Sequence, residues 1–208
     1  MRAAFRNPLN RFLRWLFPLL LAALFLLPVA CGRSLPTRFY LLTPQKTNPG
    51  AAPTAGPSVG VGPVELPDYL DRPQILTRAG EHEIHFAEFD QWGGSLKSNI
   101  AYVVAENLSK RLNLDAVYTY PWQTAVRVGF QVGISVIRLD AQPGGNATLE
   151  ARWSLLGPDG RRVLLTRRSA FQILVTGDEY ADIVDAQSRL FAALSDVIAE
   201  TIRARAPE

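Results

Sequence analysis

One cysteine, one methionine and two histidines are all that 208 residues hold of the side chains that most often bind soft metals or carry redox chemistry. A lone cysteine excludes an internal disulfide framework and every multi-cysteine zinc or iron–sulfur site. His82 and His85 stand three residues apart in an expected strand, where they point to opposite faces and read as surface histidines rather than a shared metal site. A phosphate loop, a dinucleotide glycine fingerprint, a nucleophile elbow and a zinc-protease helix are all missing. These gaps lead to the expectation that the protein is not an enzyme and needs no cofactor. Acidic residues are absent from the first thirty positions, which hold Arg2, Arg6, Arg11 and Arg14. Setting those four aside leaves 18 basic residues against 19 acidic, so the formal charge of +3 belongs to the leader and the body is near −1. Such a body is not a basic nucleic-acid-binding surface.

What the leader does contain is a basic start followed by residues 15–30, sixteen positions without a charge. A spanning helix needs about 20 apolar residues, and Pro18 and Pro28 interrupt this run. It therefore reads as a secretory signal peptide over residues 1–30. The run stops directly before Cys31. Leu27-Pro28-Val29-Ala30-Cys31 resembles the bacterial lipoprotein box, with Val29 and Ala30 in place and Pro28 standing where leucine is usual. The resemblance implies cleavage before Cys31, a diacylglyceryl group on its sulfur and an acylated new N-terminus. Two or three buried chains, at about 0.8 kcal/mol per methylene, anchor a protein almost permanently. Gly32 follows the cysteine where an aspartate would signal retention, which looks like release to the outer membrane.

Residues 31–57 comprise the lipidated start, a short β-like run (Arg38, Phe39, Tyr40, Leu41, Leu42) and a Pro/Gly/Ala/Thr-rich linker from residue 43. Residues 58–208 form one domain. Strands are expected at 58–64, 74–78 and 83–89, followed by an amphipathic helix carrying Leu96, Ile100, Val103, Val104 and Leu108, with Ser95 or Gly94 as its cap. Val126, Val128, Phe130, Val132, Ile134 and Val136 alternate with smaller or polar residues, so one face of a long strand is core. A bend or bulge is expected at Gly129 or Gly133. Pro143-Gly144-Gly145 and Gly157-Pro158-Asp159-Gly160 mark turns that make residues 125–175 an antiparallel meander. Asp178 can cap a last helix whose stripe includes Ile183, Leu190, Phe191, Leu194, Ile198 and Ile202. The fold class is α+β, a mostly antiparallel sheet packed by two amphipathic helices.

Residues 59–78 read VGVGPVELPDYLDRPQILTR: a Gly-Pro strand end, a compact LPDYLDRP segment and a return strand. With Phe89-Asp90-Gln91-Trp92, Ser95-Leu96 and Ala105-Glu106-Asn107-Leu108, this stretch resembles the PqiC-like (paraquat-inducible lipoprotein) family of ABC-type transport auxiliary lipoproteins. That family often has a small residue and an acid after the tryptophan, where this chain has Gly93-Gly94-Ser95. The resemblance implies a lipoprotein on the periplasmic side of the outer membrane, an auxiliary subunit of an MCE-type intermembrane lipid transport system. Its partners would be an MCE-domain protein and inner-membrane permease or ABC transporter components, and a homo-oligomer stays open. A lipid-binding carrier enclosing an acyl chain is the alternative, requiring a cavity of several hundred Å³. The expected partner-binding segment is Leu66, Pro67, Asp68, Tyr69, Leu70, Asp71 and Arg72: prolines at 67 and 73 restrict the backbone, which lowers the ordering cost of binding.

Processing at Cys31 has a direct test. Membrane-extracted protein should have lost residues 1–30 and gained the mass of its acyl chains, and Cys31→Ser should accumulate as a precursor with its leader attached. An unlipidated native N-terminus at Met1 would overturn the assignment.

Overall fold

The computed structural model describes residues 35–46, 56–123 and 126–205. Cys31, its leader and residues 47–55 of the expected linker lie outside the described residues. The unit that carries the fold spans residues 36–208. Its strands are β1 (Arg38–Tyr40), β2 (Val59–Glu65), β3 (Gln74–Arg78), β4 (Ile84–Trp92), β5 (Val117–Thr119), β6 (Phe130–Ala141), β7 (Asn146–Leu156) and β8 (Val163–Leu174). The helices are α1 (Leu96–Leu112), between β4 and β5, and α2 (Tyr180–Arg203), after β8.

An α+β fold is what forms, but the single, mostly antiparallel sheet is not. The strands make a three-stranded sheet, β1-β4-β3, and a five-stranded one, β5-β2-β6-β7-β8. β1 runs parallel to β4, and β2 runs parallel to both β5 and β6. The remaining pairs, β3–β4, β6–β7 and β7–β8, are antiparallel. The cause is connectivity. Parallel neighbours require a crossover of a dozen or more residues, and β3, β4 and α1 all intervene between β2 and β5. The meander over β6, β7 and β8 keeps the antiparallel order expected from its turn residues.

Alternation in β6 orients it as its pattern demands: Val128, Phe130, Val132, Ile134 and Val136 are all buried, although Val126 and Val128 precede the strand itself. β7 extends the same buried face, its Ala147, Leu149, Ala151, Trp153 and Leu155 alternating inward beside those of β6. A bend falls at Gly129, one of the two expected glycines, where the Gly129 and Phe130 N–H groups both donate to the Ser58 carbonyl, at 2.8 and 3.0 Å, and the ladders of β6 carry two register shifts. One lies between Val136 and Arg138 against β7. The other lies in β2, between Val61 and Val64, where the Gly62–Pro63 peptide is cis. Proline lacks the N–H that a ladder needs, and Gly62 takes φ 123°, a conformation closed to other residues. Gly133 instead keeps regular register opposite Ser154.

Ser95 caps α1, its hydroxyl accepting from the Ser98 N–H at 3.3 Å. The burial of α1 is broader than one face, because Ala101, Ala105 and Asn107 are buried along with Ile100, Val103, Val104 and Leu108. Sheet strands and α2 pack around it, and residues 42–45 are tied to it. α2 shows the expected stripe, with Ile183, Leu190, Phe191, Leu194, Ile198 and Ile202 almost wholly buried. Its N-cap is Glu179 rather than Asp178, and the Glu179 N–H donates to Asp182 at 3.2 Å. The three-residue strand β5 had no counterpart among the expected elements.

Residues 42–45 are fastened where a loose linker was expected to begin. Leu42 N–H donates to Asn99 Oδ1 at 2.7 Å and its carbonyl accepts from Asn99 Nδ2 at 3.2 Å. Thr43 N–H donates to Ser188 Oγ on α2 (3.1 Å), and Gln45 N–H to Asn107 Oδ1 on α1 (2.9 Å). The chain thus runs across both helices before the undescribed stretch begins.

Phe130 sits at the start of β6 with 7% exposure. Phe130→Ala should cost about 3–5 kcal/mol, measured by denaturant or thermal unfolding; a neutral result would mean the inward face of β6 is misassigned.

Candidate functional site

The expected partner-binding segment connects β2 to β3, and its backbone closes on itself twice. Leu70 N–H donates to the Pro67 carbonyl at 2.9 Å and Asp71 N–H to the Asp68 carbonyl at 3.2 Å. Successive i to i+3 bonds make a short turn of helix-like backbone between two prolines. The loop is not uniformly exposed. Leu70 is buried in the core and Leu66, Pro67 and Tyr69 are half-buried, which leaves Asp68, Asp71 and Arg72 facing solvent. Part of the segment is therefore scaffold, and its outward chemistry is carried by two acids and one base.

Each side of the loop is held. The Tyr69 hydroxyl donates to the Ile137 carbonyl of β6 at 3.4 Å. Lys97 Nζ, in the first turn of α1, donates to Asp71 Oδ2 at 2.6 Å; both side chains are substantially exposed, so the pair is worth at most about 1 kcal/mol. Arg72 does not pair with Asp71. Its guanidinium lies 4.2 Å from the centroid of the Phe86 ring on β4. The Pro73 carbonyl accepts from Trp92 N–H at 2.7 Å.

Beneath the loop lies a charge cluster. The Asp140 side chain is 3% exposed and accepts from Arg78 Nε at 2.7 Å and from Arg138 Nε at 2.7 Å and Nη2 at 3.1 Å. Arg78 belongs to β3, Arg138 and Asp140 to β6, so the cluster joins the two sheets. Its hydrogen bond to Asp140 raises the Arg138 pKa further. Burial favours the neutral phenol of Tyr69 and pushes its pKa up, with the Asp140 charge acting in the same direction and the two arginines against it.

Beside the loop the Gly62–Pro63 irregularity opens two shallow hollows, and Pro63 lines both. One, of about 200 Å³, runs between the end of β2 and α1 and is lined by Gly62, Val64, Lys97, Ser98, Ala101 and Tyr120. The other, of about 180 Å³, lies over Gly133, Ser135, Arg152 and Ser154, next to Glu65. Tyr120 is 55% exposed and is held from behind: its N–H donates to the Val61 carbonyl at 2.9 Å, and its ring meets Trp122 edge-on at 5.6 Å. Trp122 lies so close over Gly60 that a Cβ there would fall 2.7 Å from the indole.

Asp68, Asp71 and Arg72 face solvent on the turn, and Asp71 leads to the neighbouring hollow through Lys97, which lines it together with Pro63 and Tyr120. The last three were missed because they lie in other elements, although Tyr120-Pro121-Trp122 is an aromatic turn that could have drawn notice. His82 and His85 stand apart, both exposed, with His82 ahead of β4 and His85 Nε2 3.1 Å from Glu83. What the surface offers chemically is recognition: fixed backbone, one aromatic, and charges of both signs at the rim.

Residues 40–199 match the family of ABC-type transport auxiliary lipoprotein components. The chain belongs to that family. Among solved structures, protein XCC0632 from Xanthomonas campestris, a member of DUF330, is 18% identical over 78% of this chain and 93% of its own, with a TM-score of 0.64. An uncharacterized protein is 19% identical over 81% of this chain and 99% of its own, with a TM-score of 0.66. Both show the fold shared by this auxiliary lipoprotein. No match was found among curated proteins.

Tyr69 provides a pH test of how the loop is seated. Its folded-state pKa lies above the ordinary value of about 10. The corresponding stability is complete below that pH and is lost as pH rises through the folded-state value. Tyr69→Phe should flatten the decline in melting temperature above about pH 10 while Tyr180, whose pKa burial also raises, continues to contribute. An unchanged alkaline slope would show that Tyr69 is not buried against β6.

Proposed function

We propose that this auxiliary lipoprotein is held in the outer membrane by Cys31, faces the periplasm, and docks an MCE-type lipid transport system without catalysing a reaction. Membership of a transport auxiliary family supports the setting. The observation that carries the docking role is the doubly closed 66–73 turn, which presents Asp68 and Arg72 to solvent and leads through the Asp71–Lys97 pair to the hollow lined by Pro63 and Tyr120. A pre-ordered surface loses little entropy on binding, and an aromatic and an arginine are the usual anchors of an interface. The partner is an MCE-domain protein, with inner-membrane permease or ABC components reached through it.

The alternative of a lipid carrier draws less support, since neither hollow at the site approaches several hundred Å³. A photo-crosslinking residue at Asp68 or Arg72 in cells should trap an MCE-domain protein. Arg72→Ala with Tyr120→Ala should weaken that association by about 2 kcal/mol or more with an unchanged melting temperature. Stoichiometric lipid in the purified protein, together with no crosslink from either position, would favour the carrier.

A further inference from the structure

Strand β1 presents different chemistry on its two sides. Arg38 and Tyr40 turn to the side of the buried Asp90, where Arg38 Nε and the Tyr40 hydroxyl each donate to its carboxylate at 2.8 Å. Successive residues of a strand alternate, so Phe39 points the other way and is 66% exposed. Leu41 follows on that side, 54% exposed, its Cδ2 3.4 Å from where a Cβ on Gly93 would stand. The register sets Phe39 beside Gln91 of β4, and Phe89, two residues earlier, shares that face by the same alternation against the buried Asp90 and Trp92. Phe39, Leu41, Phe89, Gln91 and Gly93 are all uncharged.

Single exposed apolar residues are ordinary, but a contiguous group on a fixed strand marks a surface that meets something apolar. This group does not come from a frayed end. Beyond the β1–β4 ladder the Gly93 N–H donates to the Tyr40 carbonyl at 2.8 Å, and the Leu42 N–H and carbonyl are both bonded to Asn99. Phe39 and Leu41 are thus held outward by bonds on either side of them.

The length of chain ahead of β1 indicates what lies within its reach. Cys31 is the only cysteine of a chain that belongs to a lipoprotein family, and residues 32–37 alone separate it from β1. Fully extended, that stretch spans about 24 Å at most. From Cys31 through Lys46 the charged residues are Arg33, Arg38 and Lys46, with no acid. Apolar side chains with basic neighbours suit a bilayer interface, which offers hydrocarbon to the first and anionic headgroups to the second.

We propose that Phe39 and Leu41 insert into the interface of the bilayer that holds the acyl chains of Cys31, seating the body on the membrane through the outer face of β1. The inference rests on the acylation of Cys31. A bilayer is favoured over a protein partner because the short tether keeps it always at high effective concentration beside β1, so that a second, weak contact is made readily once the first is in place.

The test uses the full lipidated chain in vesicles of phosphatidylethanolamine and phosphatidylglycerol carrying a spin-labelled lipid as quencher. Acylation consumes the Cys31 sulfur, so a cysteine introduced by Gly93→Cys or Val163→Cys is the single free thiol and takes one fluorophore. Gly93 lies beside Leu41 and leaves the apolar group intact, whereas Val163, 57% exposed, belongs to β8 of the other sheet. The label of Gly93→Cys should lose about half of its emission or more, as a site at the headgroup boundary does, and that of Val163→Cys should stay bright. Adding Phe39→Ser and Leu41→Ser should restore the Gly93→Cys signal with the melting temperature nearly unchanged, since both side chains are already exposed. Flotation with the vesicles reports the anchor separately. A chain that does not float overturns the anchoring and this inference with it. A chain that floats while Gly93→Cys is quenched no more than Val163→Cys, or stays quenched with both serines in place, overturns the seating alone.

Discussion

The buried carboxylate of Asp140 is what allows two separate sheets to act as one scaffold. It receives one arginine from the small sheet and one from its own strand. Loss of either arginine leaves the other on the carboxylate, whereas loss of Asp140 removes the group that both share and with it the polar link between the sheets. The position of the cluster matters as much. Tyr69 lies over β6 within the field of this cluster, so the turn at 66–73 inherits its placement from the junction of the sheets. Lys97 then secures the same turn to α1. The turn is thus in contact with both the sheet junction and the start of α1.

A second polar cluster governs the end of the fold nearest the expected anchor. Asp90 on β4, almost buried, accepts from Arg38 Nε and from the Tyr40 hydroxyl, each at 2.8 Å. Burial first, and then this hydrogen bond, push the Tyr40 pKa up. Beyond β1 the chain crosses α1 and α2 through Asn99, Ser188 and Asn107. Three elements of the core thus grip the first eight residues from Arg38 on. A pull applied ahead of Arg38 therefore meets a strand and a backbone segment built into the core.

Much of the fold was legible because it rests on short-range regularities. The alternation over residues 126–136, the Gly-Pro-Asp-Gly turn and the stripe of the last helix each reflect a backbone period and a burial direction. What escaped were relations between distant segments. Nothing near Val59 indicates that its neighbours run parallel to it, since that depends on where the chain returns after α1. The bend at Gly129 follows from an over-long strand pattern containing a glycine, whereas the irregularity at Gly62–Pro63 shows in the sequence only as a dipeptide near a strand end. The site divides in the same way. The LPDYLDRP segment stood out by its composition, yet only tertiary contacts reveal that Tyr69 and Leu70 face inward and that Lys97 and Tyr120 complete the outer surface.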